Sequence, residues 1–263
     1  MGKHTVVALT AALSVGLLLL PACKRGPDPQ QEKTTQLQQQ YADIEQAYVT
    51  LKSARTELAG VTAELAQLEA VEEGKRSVEQ KAKIDELKAK VEPATATTTS
   101  LYEDVQTRLA DYLTVALNDF PDAPATATAL KLYAEEAILN ADDIVRTAGH
   151  YQKAIEVLDG VVTYYQAANL QPYPLVVEKI KEMESWRFIT QERFDQVQKK
   201  MTQDEVKQLA GVPYMKNIRE DKERGVTFWL YPKRGGGAAA VYFDKKNLVY
   251  QKNFDAVTTK VVE

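Results

Sequence analysis

Four successive heptads leave the stretch after residue 34 little choice but to be a helix. Ile44, Leu51, Leu58 and Leu65 recur every seventh residue, and Ala47, Ala54, Val61 and Leu68 stand three further on. A first-and-fourth pattern of this kind draws one apolar seam along a helix and leaves the intervening Glu, Gln, Lys and Arg side chains to water. Glu72-Glu73-Gly74-Lys75 breaks the seam. A second helical run opens near Ser77, with Ile84, Leu87 and Val91 on one face. Beyond Pro93 and the threonine-rich residues 94–100, it resumes with Leu101, Val105, Leu109, Tyr112, Leu113 and Leu117. The spacing predicts a long antiparallel coiled-coil hairpin over residues 34–118, its returning arm kinked near Pro93. Proline and threonine are poor helix formers, so three separate helices are the alternative. Alanines in the seam let the arms approach closely. Such a hairpin is either a solvated, self-paired coiled coil or a spacer and docking arm.

Residues 119–187 read as three shorter helices. Asp122 is a candidate N-cap and Pro124 suits a first turn. Leu130, Tyr133, Ala137, Ile138, Ala141, Ile144 and Val145 form an inner stripe that stops at Gly149. Tyr151, Ala154, Ile155, Leu158, Val161 and Tyr165 form the next, ending near Asn169 before Pro172 and Pro174, and a third helix spans roughly residues 175–187. The run Gly149-His150-Tyr151-Gln152-Lys153-Ala154-Ile155 resembles the start of the second helix of a tetratricopeptide repeat. There the glycine makes the inter-helix turn and the alanine lets the helices touch. Asp142 and Val145 depart from that repeat's first helix, and one repeat is fewer than a solenoid needs. The resemblance implies a packed helical pair with a capping helix, of a type that commonly binds peptides or proteins. His150, a lone histidine at a helix start, is expected on the surface and not as a metal ligand.

The pattern changes after residue 188. Phe194 and Val197 mark a short amphipathic helix. Thr202 followed by Glu205 is a capping box, and Gly211 with Pro213 ends the helix it starts. Val226, Phe228 and Leu230 alternate with Thr227, Trp229 and Tyr231, and Ala239, Val241 and Phe243 with Ala240 and Tyr242. Residues 248–252 supply another strand, and a shorter one is expected around residues 214–219. The unit, residues 188–263, is thus two helices and a three- or four-stranded antiparallel sheet. Its residues Met201, Thr202, Glu205, Val206, Leu209, Gly211, Pro213, Trp229, Tyr231, Val241, Tyr242, Phe243 and Asp244 resemble the SmpA/OmlA domain of the BamE lipoprotein family. That family usually has glycine before Met-Thr, where this chain has Lys200. The resemblance implies a helix-helix-sheet fold and a non-enzymatic accessory role in outer-membrane protein assembly. Gly235-Gly236-Gly237 follows Lys233-Arg234 and precedes a strand, the reverse of a phosphate loop, so a hairpin turn is expected. Trp229, Tyr231, Tyr242 and Tyr250 are the candidate partner-binding aromatics of an outer sheet face. Alternatively, they cover that face against the hairpin or the central helices.

At the N-terminus, Lys3 and His4 precede an apolar run from Thr5 to Leu20, too short to span a bilayer and laid out like a secretory signal peptide. Leu20-Pro21-Ala22-Cys23 resembles the bacterial lipobox. That resemblance implies removal of residues 1–22 and acylation of Cys23; the stretch to residue 33, polar with two prolines, cannot bury a core and reads as a tether over residues 23–33. An ordinary signal peptide or an uncleaved anchor is the alternative. Lys24 stands where Asp would retain a lipoprotein in the inner membrane, so the periplasmic face of the outer membrane is favoured.

The chain holds one cysteine and two histidines, which leaves no intrachain disulfide and no obvious zinc site or histidine-dependent triad. No catalytic residue, metal or cofactor is expected. Residues 30–118 carry 10 Lys and Arg against 15 Asp and Glu, residues 201–263 carry 11 against 8. That split is too small to imply nucleic acid. The expectation is an α+β, mostly α, lipid-anchored envelope scaffold or adaptor, a non-enzyme with protein partners and no small-molecule substrate. It would be accessory to outer-membrane protein assembly or envelope integrity. The alternative is a periplasmic binding or inhibitory module using the aromatic sheet face.

Overall fold

The computed structural model describes residues 29–221, 223, 225–259 and 261. Among them are seven α-helices and a four-stranded antiparallel sheet, the α+β, mostly α, class read from the patterns. Helix α1 (Pro29–Glu69) and helix α2 (Val78–Asp119) are the hairpin arms, 41 and 42 residues long. At 1.5 Å per residue each is about 60 Å long. Arms of near-equal length return the chain to its start, where Lys33 Nζ lies 3.3 Å from Asp119 Oδ2. Residues 29–33, expected to belong to the tether, are already helical, with Pro29 in the first turn where its missing N–H costs nothing.

At the far end the turn is held by named bonds. Arg76 donates from Nε to Val71 O at 2.8 Å and from Nη2 to Glu69 O at 2.7 Å, satisfying carbonyls that the end of α1 leaves open. Ser77 and Gln80 make a capping box for α2. That helix runs on through Pro93, so the three-helix alternative does not occur. The threonines, poor helix formers, are accommodated. Thr95 and Thr98 donate their hydroxyls to the carbonyls of Val91 and Ala94, four residues back.

Helices α3 (Pro124–Ala148), α4 (Tyr151–Ala167) and α5 (Pro174–Arg187) follow. Ala123, not Asp122, occupies the N-cap of α3, with no side-chain cap, and Pro124 takes the first turn. The turn before α3 is closed from within, because the buried Thr126 hydroxyl donates to Phe120 O at 2.9 Å. Leu37, Ile44 and Leu51 of α1 share one core with Val105, Leu109 and Leu113 of α2 and with Leu130, Leu158 and Val176 of the central helices. The boundary near residue 118 therefore separates elements and not cores. Towards the tip, where only two helices meet, Leu58 and Leu65 are no more than half-buried.

The C-terminal unit has its own core. Helix α6 (Gln191–Gln196) and helix α7 (Gln203–Ala210) lie on a sheet of order β1-β2-β3-β4: β1 (Ile218–Asp221), β2 (Val226–Pro232), β3 (Ala238–Phe243) and β4 (Val249–Val257). The Thr202–Glu205 capping box forms, and residues 233–237 make the expected hairpin turn. Lys200 has φ +73°, the left-handed region where glycine is at ease, and its N–H is held by Val249 O at 2.7 Å. A glycine there would meet the same backbone demand without strain.

One polar contact sits inside the larger core. Glu136 of α3 is completely buried, and its Oε1 accepts from Arg55 Nη1 of α1 at 2.8 Å. Removing one member of a buried pair strands the other, which typically costs several kcal/mol. Arg55→Met, which strands the fully buried Glu136, is expected to lower stability by about 3 kcal/mol, and adding Glu136→Leu to recover most of that. Urea unfolding of the single and double variants measures both.

Candidate interaction surface

A strand alternates its side chains, so pairing register decides which residues share a face. Trp229 pairs with Val241 and Tyr231 with Ala239, which places all four on the same side. That side rests on α6 and α7. Trp229 is 3% exposed and Tyr231 4%, packed with Phe194, Val197, Val206, Val241 and Phe243. The Trp229 and Phe243 rings lie 4.5 Å apart, and Tyr231 Oη donates to Gly211 O at 3.2 Å. Burial pushes the Tyr231 hydroxyl well above the usual tyrosine range, so it stays a neutral donor. These two aromatics are core, and the four-residue outer patch expected from the sequence does not exist.

Its other half does. Tyr242 pairs with Phe228 at a ring distance of 5.6 Å, and Leu230 pairs with Ala240, so Phe228, Leu230 and Tyr242 share the opposite face. A register shift between Tyr242 and Phe243 pairs Tyr242 with Gln251 and Phe243 with Val249. Tyr250 is the extra residue, and its ring stands 6.2 Å from Tyr242. The shift works as a bulge, re-aiming one side chain at the cost of a ladder bond. Tyr250 is 39% exposed, and Phe228, Leu230 and Tyr242 are half-buried, partly by one another. The outer band is therefore Phe228, Leu230, Tyr242 and Tyr250. Phe228 and Leu230 are legible in the sequence as alternating with Trp229 and Tyr231, but which of the two sets faces outwards is decided by the packing of α6 and α7.

How the unit is held decides where this band points. Gly149 has φ +64°, and a Cβ there would lie 2.2 Å from Pro213 O. Tyr151 Oη accepts from Val212 N at 3.2 Å, and Gly211 sits against the Tyr151 and Trp186 rings. His150 is not a free surface residue. It caps α4 by accepting from Lys153 N at Nδ1, and its ring lies 4.4 Å from that of Tyr214. The stretch that resembles a tetratricopeptide turn thus also docks the sheet unit. Ile189 N donates to Pro232 O at 2.9 Å and ties the connector to β2. With its inner face on α6 and α7 and its α7–β1 segment on α4, the sheet leaves the outer band free of the packing that holds the unit together.

Cys23, the expected lipidation site, lies outside the described residues, as do the signal peptide and most of the tether. Among the described residues, no group of three or more His, Cys, Asp or Glu is placed to hold a metal ion. No described helix is long and apolar enough to cross a membrane.

Gly149→Ala is expected to cost more than about 2 kcal/mol, because it combines left-handed strain with a backbone clash that no side-chain rotation relieves. Faster cleavage between residues 187 and 215 in limited proteolysis, with hairpin fragments unchanged, would show loss of docking in particular.

Comparison with family models, with curated proteins and with solved structures found no match for this chain.

Proposed function

We propose that this protein is a lipid-anchored, non-enzymatic scaffold of the bacterial cell envelope, held through acyl chains on Cys23 and binding protein partners through its outer sheet band. The observation that carries the reading is the doubling-back of the hairpin, marked by the Lys33–Asp119 contact. Only five residues lie between Cys23 and Pro29, where α1 begins. They span at most about 20 Å when extended. The base of the hairpin and the helices that share its core would stay close to the membrane surface, with the tip reaching roughly 60 Å away. The outer band would then be displayed at a fixed place relative to the anchor.

The SmpA/OmlA resemblance supports an accessory role in outer-membrane protein assembly or envelope integrity, and Lys24 supports the outer membrane. A binding module built on Trp229 and Tyr231 has lost its support, since both rings are inside. What favours partner binding is the outer band of Phe228, Leu230, Tyr242 and Tyr250, apolar surface of a kind enriched in the centres of interfaces.

Cys23→Ala is expected to leave the precursor unprocessed at this site and to abolish acyl labelling; normal lipidation of that variant would reject the anchor. Pull-down from solubilised membranes is expected to recover a protein partner with the native chain and to lose it with Tyr242→Asp, a change on the free face that leaves both cores intact. Equal recovery by both baits would reject the sheet band as the partner site.

A further inference from the structure

Away from the outer band, a cleft of about 620 Å³ opens where the end of α5, the connector 188–190 and the β2–β3 turn meet. That is within the range of small-ligand sites. Phe188 and Phe254, the two rings that line it, each carry a cation. The Arg187 and Arg234 guanidiniums lie over the Phe188 ring, at 4.9 and 5.6 Å from its centre, and the Lys233 ammonium lies 4.8 Å from the Phe254 ring. Gly235 and Gly236 line the turn, and a Cβ on either would meet nothing within 4 Å, so a ligand can approach the backbone there.

The ion pairing at this cleft is lopsided. The Lys233 side chain is only 17% exposed, so its charge is largely removed from water. Its partner is Asp255, 2.5 Å away, whose side chain is 77% exposed. An exposed carboxylate gains little from a single pair and exchanges readily, whereas a mostly buried ammonium needs an anion. Arg187 is engaged with Glu184 at 3.3 Å, while Arg234 is exposed above Phe188. The cleft thus offers Lys233, mostly shielded from water and paired with an exposed acid at its edge, a second cation, Arg234, and aromatic walls.

We propose that this cleft binds an apolar carboxylate. Its carboxylate takes the place of Asp255 on Lys233, within reach of Arg234, and its apolar body lies against Phe188 and Phe254. Asp255 is the chain's own example of the head group that fits, which favours a carboxylate over a phosphoryl group. The body can be aryl or acyl, because flat rings and chains both pack on phenylalanine faces. Binding of this kind is independent of the lipid anchor and of the sheet band.

The test uses the full chain labelled with ¹⁵N-glycine, which contains 12 glycines. Titration with 3-phenylpropionate and with octanoate is expected to move the Gly235 and Gly236 signals saturably, at about millimolar concentrations for ligands this small. The tighter of the two identifies the body. Asp255→Asn removes the competing carboxylate and is expected to tighten binding about threefold or more, and Arg234→Ala to weaken it by roughly tenfold. Neutral 3-phenylpropanamide is expected not to bind. The proposal is overturned if the amide binds as well as the acid or if Asp255→Asn leaves affinity unchanged. It is also overturned if only inorganic phosphate or phosphatidylglycerol vesicles move these two signals.

Discussion

A single buried carboxylate sets how the helical part of this protein is assembled. Glu136 has no exposed surface, and the cation that answers it, Arg55, comes from α1, 81 residues earlier. Any sliding of α1 along α3 would leave that charge without its partner in a low-dielectric interior, a penalty larger than most of the apolar contacts around it could offset. The pair therefore fixes register between helices whose apolar stripes alone would tolerate a shift by one turn. Its field reaches the neighbouring tyrosines. Burial first, and the Glu136 charge second, push the Tyr102 hydroxyl up to about 12 and raise that of Tyr48. Both tyrosines remain neutral, so neither adds a charge to the polar cluster at the junction.

From that junction the rest of the architecture follows by packing. The base of the hairpin is one core with α3, α4 and α5, and there Leu51, Val105 and Leu113 are fully excluded from water. The distal half has only its own two helices, where Ile84 and Leu87 are buried but Leu58 and Leu65 only half so, and contacts such as Lys88–Glu69 and the Arg76 cap hold its end. The C-terminal unit is a second core, placed on the first through short-range contacts at Gly149, Tyr151 and Gly211. Glycines allow this because main chain meets main chain and ring, closer than a Cβ would permit. A long arm, a helical base and a glycine-seated sheet unit give the exposed face of the sheet a defined orientation relative to the base of the hairpin.

The elements themselves were readable because each rests on local rules. Heptads mark α1, the Ser77 and Thr202 capping boxes start α2 and α7, Gly149 stops α3, and the triple glycine turns β2 into β3. The errors share another origin. Trp229 and Tyr231 group with Tyr242 and Tyr250 in the sequence because each residue lies in a recognisable strand. Whether two strands present such residues on one side depends on the turn register, and a slip of one residue reverses it. The β3–β4 shift that turns Tyr250 towards Tyr242 has no sequence signature comparable to a cap or a glycine turn. His150 read as a solitary surface residue because its second contact, Tyr214, lies 64 positions away, across the boundary between two units.

Alone, the sequence determined the type and order of most elements, the hairpin pattern of residues 34–118, and the scarcity of cysteine and histidine. All of these depend on residues close together in the chain or on composition. The tertiary structure decided which aromatics are core and which are surface, that hairpin and central helices share one interior, and where charges meet. Glu136 is one of many glutamates until α1 folds over it, and Lys233 is one of many lysines until the β2–β3 turn folds its stem against Phe254. Burial and register are properties of the packed whole, since they depend on which distant segment excludes water from a side chain.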